Sequence, residues 1–148
     1  MSAEENKAIM RRFWKVWEEG DIDRLDEMLA PDYVNHALAA PDLPPGPEGV
    51  KEVIRMFRSG MPNLRVAIED MIAECYRVAT RYALEGTHRG DLFGVAPKGR
   101  RLSIKSITVE RLSEGKIVEH WRVTDELDMM RPLGAIGEPE NNLTSTEE

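Results

Sequence analysis

Asp125, His36 and His88 are of types that can move a proton, and Tyr33 and Tyr82 add hydroxyls that can donate to an oxygen. An aspartate becomes a useful base when burial disfavours its charged form and lifts its pKa from a reference of about 3.9. Apolar neighbours such as Trp121 and Phe57 would supply that burial. On an extended segment beginning at Ile117, alternation places Glu119, Trp121, Val123 and Asp125 on one face and Val118, His120, Arg122 and Thr124 on the other. If Trp121 lines a cavity, Asp125 lines it too. Position alone also lets Asp125 cap a following helix, so the residues leave both roles open.

His36 and His88 come from distant parts of the chain, each where a regular element gives way to a loop. Either can donate to a substrate oxygen or shuttle a proton, and either can equally be a turn histidine satisfied by backbone. His120 has the opposite strand parity from Asp125 and reads as packing at a sheet or dimer face. Tyr33 and Tyr82 are pocket hydroxyls or half-buried aromatics. No two of the three histidines have the helical i, i+4 spacing of a zinc site, and the single Cys75 allows neither a disulfide within the chain nor a cysteine cluster. A metal site is therefore not expected.

Several elements must hold these groups. From Glu4 to Glu19, Ile9, Phe13, Val16 and Trp17 share one helical face with Met10 and Trp14 beside it, and Gly20 ends the run. Asp21 or Asp23 can cap a short second helix through Leu29, which Pro31 stops. Residues 37–47 hold four prolines and read as a loop or lid. Pro47 opens a third helix carrying Val50, Val53, Ile54 and Phe57, which ends at Gly60. The period then changes to two, with alternating runs at Leu64 to Ile68 and Val78 to Leu84. A glycine-bearing loop from Arg89 to Arg100 presents Phe93, and two further strands, near 102–112 and 117–124, join through Ser113-Glu114-Gly115-Lys116. The pattern is three helices followed by four long antiparallel strands, an α+β order. Residues 1–134 form a single domain in this reading, and 135–148 a flexible, polar tail.

The 148 residues suit one domain, and a composition with 41% hydrophobic and 32% charged residues suits a folded one. A net charge of -7 argues against nucleic acid and anionic membrane as partners. Met1 to Arg12 lacks the apolar core of a signal peptide, so the cytoplasm is the expected location.

Four stretches together resemble the SnoaL-like polyketide cyclases of the nuclear transport factor 2-like superfamily. They are Asp32-Tyr33-Val34-Asn35-His36, Pro45-Gly46-Pro47-Glu48-Gly49-Val50, Gly86-Thr87-His88, and Glu119-His120-Trp121-Arg122-Val123-Thr124-Asp125-Glu126-Leu127. The resemblance spans about Asn6 to Gly134. It implies a cone: a curved, mainly antiparallel sheet wrapped on the three N-terminal helices, a pocket at the wide end, and homodimers formed through the sheet.

The resemblance further implies ring closure by intramolecular aldol condensation without metal or organic cofactor, with Asp125 as acid and base and His36 and His88 beside it. Trp121, Tyr33, Tyr82, Phe57, Phe93 and Trp14 would bind a small apolar or polyketide-like ligand. A dehydratase or isomerase of the same superfamily would use similar parts, and a noncatalytic ligand-binding module would share the fold. An epoxide hydrolase would need an inward arginine, for which Arg122 has the wrong expected parity.

Overall fold

The computed structural model describes residues 1–134; the expected tail, 135–148, lies outside them. Helix α1 spans Ala3–Glu19 and buries Ile9, Met10, Phe13, Trp14, Val16 and Trp17, the face its periodicity marks. Ser2 accepts from the Glu5 N–H at its start, and Gly20 closes it in the left-handed conformation (φ 78°) that glycine adopts without steric cost. A 3-10 turn, Ile22–Arg24, leads into the short helix α2, Leu25–Met28. Helix α3, Pro47–Gly60, has proline in its first turn, where no N–H is needed. Its Arg58 donates to the carbonyls of Trp17 and Glu18, satisfying and neutralising the C-terminal end of α1.

The structure adds a strand that the sequence pattern did not reveal. Leu29–Asn35, to which only a helix end at Leu29 was assigned, is strand β1. It lies at the sheet edge and pairs in parallel with the last strand, an edge position that tolerates Pro31 and its missing N–H. Strands β2 (Arg65–Glu74), β3 (Arg77–Thr87), β4 (Arg101–Ser113) and β5 (Lys116–Thr124) follow in antiparallel succession, giving the order β1-β5-β4-β3-β2. The sheet is therefore five-stranded and mixed. The β2–β3 turn lacks glycine, and Cys75 itself takes the positive φ of 53°. Helix α4, Glu126–Leu133, closes the described chain and packs on β4.

Helices cover one face of the sheet, where Val78, Leu84, Leu102, Ile104, Leu112 and Ile117 join α1 and α3 in one core. Burying an aliphatic or aromatic side chain of this size contributes about 1.5–3 kcal/mol, so this face provides the main driving force for folding. The other face is less covered: Ile72, Ile107 and Val123 stay exposed on it.

Candidate active site

The core is not filled to the centre. A cavity of about 80 Å³ lies between sheet and helices, walled by Trp17, Phe57, Tyr82, Ile104, Arg122 and Met129 and edged by Phe93 and Leu38. A smaller recess of about 30 Å³ adjoins it, sharing Trp17, Tyr82 and Arg122 and adding Trp14, Tyr33, Asn35 and His120. An aromatic row runs outward through both: Tyr82 to Trp14 at 4.2 Å, Trp14 to Trp17 at 5.7 Å, Trp17 to Phe57 at 5.9 Å and Phe57 to Phe93 at 5.6 Å between ring centroids. Such a surface suits a flat, unsaturated ligand.

The polar groups of the recess come from β1 (Tyr33, Asn35), β3 (Tyr82) and β5 (His120, Arg122), and β4 backs them. On β4 the inward residues are Leu102, Ile104, Ser106, Thr108, Glu110 and Leu112, so three polar side chains interrupt an apolar stripe. Glu110 is buried, and both of its oxygens are engaged: Oε1 lies 2.8 Å from Nδ1 of His120, and Oε2 accepts from the Thr108 hydroxyl at 3.0 Å. A carboxylate can only accept, so Nδ1 of His120 carries a proton, and in the neutral ring Nε2 is the atom with the lone pair. Burial, with the Glu110 charge adding to it, raises the pKa of Tyr33 above its usual 10.0, and Arg122 works against the rise. Burial likewise raises that of Tyr82, with Arg122 opposing and Glu110 adding. Both phenols therefore stay neutral donors at physiological pH. The buried indole N–H groups of Trp14 and Trp17 have no acceptor among the described residues.

The strand parity expected for β5 is inverted. Arg111 faces Glu119 across the β4–β5 ladder, whereas Leu112 faces Ile117, so Val118 is an extra residue on β5. This bulge turns His120, Arg122 and Thr124 inward and Glu119, Trp121 and Val123 outward. Asp125 does not line the cavity. It is exposed, its carboxylate accepts from the Asp128 N–H at 3.1 Å as the N-cap of α4, and it borders a shallow groove beside Lys105, Ile107 and Val123.

The other expected site residues divide in the same way. Tyr33, Tyr82, Phe57, Phe93 and Trp14 are brought together around the cavity and its recess. Trp121 is on the far face of the sheet, stacked on the exposed His36 at 4.9 Å and 11°. His36 in turn bonds Glu119 at 2.8 Å, and Glu119 bonds Arg111 at 2.5 Å, so that histidine serves an external ion-pair chain. His88 is fully buried but lines no cavity, and neither ring nitrogen has a partner among the described residues. His120, Arg122 and Asn35, which line the recess, and Glu110, which backs His120, were not singled out from the sequence as site residues. The polar interruption of the β4 stripe was a legible signal for Glu110; the bulge that reverses β5 was not. Among the described residues, no group of three or more His, Cys, Asp or Glu is placed to hold a metal ion, and no helix is long and apolar enough to cross a membrane.

A curved mixed sheet closed by helices around an apolar cavity with a few convergent polar groups is the nuclear transport factor 2-like architecture expected from the sequence. The SnoaL-like polyketide cyclase family model matches residues 7–133, and the chain belongs to that family. It is 30% identical over 116 residues to the nogalonic acid methyl ester cyclase of Streptomyces nogalater, covering 78% of this chain and 87% of the relative. It is 29% identical over 134 residues to the aklanonic acid methyl ester cyclase AcmA of Streptomyces galilaeus, covering 88% and 91%. Among solved structures it is similar to TsrD from Streptomyces laurentii, with a TM-score of 0.83 and 28% identity over 92% of this chain and 99% of that one.

Proposed function

We propose that this protein is a cofactor-independent acid–base enzyme of the polyketide cyclase type, which closes a ring by intramolecular aldol condensation of a small carbonyl compound. His120 is its base, and Glu110 positions that base. The observation that carries this reading is the buried Glu110–His120 pair, which commits Nδ1 and leaves Nε2 of a recess-lining histidine for substrate.

In this reading Nε2 of His120 removes a proton from the carbon beside a carbonyl, and the electron pair moves to the carbonyl oxygen. The neutral donors Tyr33 and Asn35 hold the resulting enolate oxygen. The enolate carbon attacks a second carbonyl of the same molecule, forming the new carbon–carbon bond. The alkoxide so formed takes the proton back from Nε2, so no proton is gained or lost overall. The aromatic row supplies a flat wall for a polyketide-like ring system.

The same reading makes the protein a cytoplasmic homodimer joined through the outer sheet face. Across that face the cross-strand rows Ile72–Ala79–Val109–Trp121 and Asp70–Arg81–Ile107–Val123 leave a largely apolar surface.

Proton abstraction is testable without the natural substrate. Incubated with acetylnaphthalene in deuterium oxide, the protein should speed deuterium uptake at the methyl carbon, as followed by NMR, and His120→Gln should abolish the acceleration. Equal acceleration by the folded His120→Gln protein would remove His120 from the mechanism.

A further inference from the structure

Arg122 is a half-buried cation at the cavity with no counter-ion among the described residues. Its side chain lines both the cavity and the recess, among Trp17, Tyr82 and Tyr33. Nη2 donates to the Ala37 carbonyl at 2.8 Å, and its remaining N–H groups have no acceptor among the described residues. No carboxylate among those residues lies within ion-pairing distance of it. Glu110 spends one bond from each oxygen on His120 and Thr108 and forms no ion pair with Arg122. The other charged residue at the cavity, Glu126, is exposed at the mouth. A half-buried guanidinium beside aromatic rings, with one backbone carbonyl as its partner, keeps N–H donors available for an anion.

Resting on the cavity reading above, we propose that Arg122 makes this site selective for a free carboxylic acid: a planar aromatic or polyketide-type acid whose carboxylate pairs with the guanidinium, in preference to its ester. A carboxylate presents two oxygens to the planar fork of N–H donors, whereas an ester offers one neutral acceptor and an alkyl group that fills the place of the second. The aromatic row would hold the ring system of such an acid while Arg122 fixes one end of it, which orients the reacting carbons toward His120. The substrate class thus differs in charge from the methyl esters named in the two relatives.

The test is isothermal calorimetry with naphthoate and methyl naphthoate on the full chain and on Arg122→Gln and Arg122→Lys. Charge-assisted hydrogen bonds predict that the wild-type protein binds the acid roughly ten- to a hundredfold more tightly than the ester. Arg122→Gln should bind the two alike with ester affinity unchanged, and Arg122→Lys, which keeps the charge and can still reach the Ala37 carbonyl, should retain part of the preference. Equal binding of acid and ester by the wild type would overturn the charge selectivity and leave the aromatic cavity reading standing. An acid preference that survives intact in Arg122→Gln would remove Arg122 as its source. Failure of both compounds to bind would overturn the cavity reading and this assignment with it.

Discussion

Glu110 and His120 are cross-strand partners on β4 and β5, with Oε1 and Nδ1 2.8 Å apart and both side chains buried. One strand thereby orients the imidazole that the other presents to the recess.

Separate consequences follow for the two members of this pair. His120→Gln should lower the rate of proton abstraction roughly 10²–10⁴-fold, the usual range for a general base, while leaving naphthoate affinity in place. Glu110→Gln should lower kcat with KM held, and Glu110→Asp should restore part of it. Glu110→Ala, which strands the Thr108 hydroxyl and the His120 ring, should cost about 3 kcal/mol in urea denaturation.

Asp125 provides the matching control. As the N-cap of α4 on the far side of the sheet from the cavity, it contributes about 1 kcal/mol of stability that Asp125→Ala should lose and Asp125→Asn should largely keep. Deuterium uptake should be unchanged in Asp125→Asn; a hundredfold loss there would return the acid–base role to Asp125 and displace His120.

The external chain predicts an acid-side effect. The hydrogen bond from His36 first, and that from Arg111 next, hold the Glu119 carboxyl below its ordinary 4.5. Its stabilisation is therefore fully present above pH 4.5 and lost as pH falls through the lower folded value. Denaturation curves should show Glu119→Gln less stable than wild type at neutral pH, with the gap closing in acid. A gap that is constant with pH would mean that the ion pairs contribute nothing.

At the alkaline end the two cavity tyrosines dominate. Burial raises both phenols above 10.0, so the unfolded chain ionises them first and stability should fall as pH rises past that value. Ultraviolet titration should show that Tyr33 and Tyr82 ionise only as the protein unfolds. Tyr33→Phe should flatten the alkaline loss of stability; ionisation of both tyrosines in the folded protein near pH 10.0 would contradict their burial.

Much of this architecture is local in origin and was therefore readable from the chain. The faces of α1 and α3 follow from the spacing of Ile9, Phe13, Val16 and Trp17 and of Val50, Val53, Ile54 and Phe57. The β4–β5 hairpin follows from Glu114 and Gly115, which take positive φ angles of 49° and 77°. Tyr33, Tyr82, Phe57, Phe93 and Trp14 were placed at a cavity by the family resemblance, and they surround one here.

By itself, then, the sequence determined the helices, the four antiparallel strands, the α+β class and the family, because periodicity and turn chemistry act over a few residues. Tertiary structure alone decided the sidedness of β5 and the existence of β1. The Val118 bulge is fixed by how β5 pairs with β4, and one inserted residue exchanges every side chain beyond it between the two faces of the sheet. Strand β1 is extended because β5, more than eighty residues later, offers it a parallel edge. Those two long-range pairings put His120 and Arg122 inside and leave Trp121 and Asp125 outside.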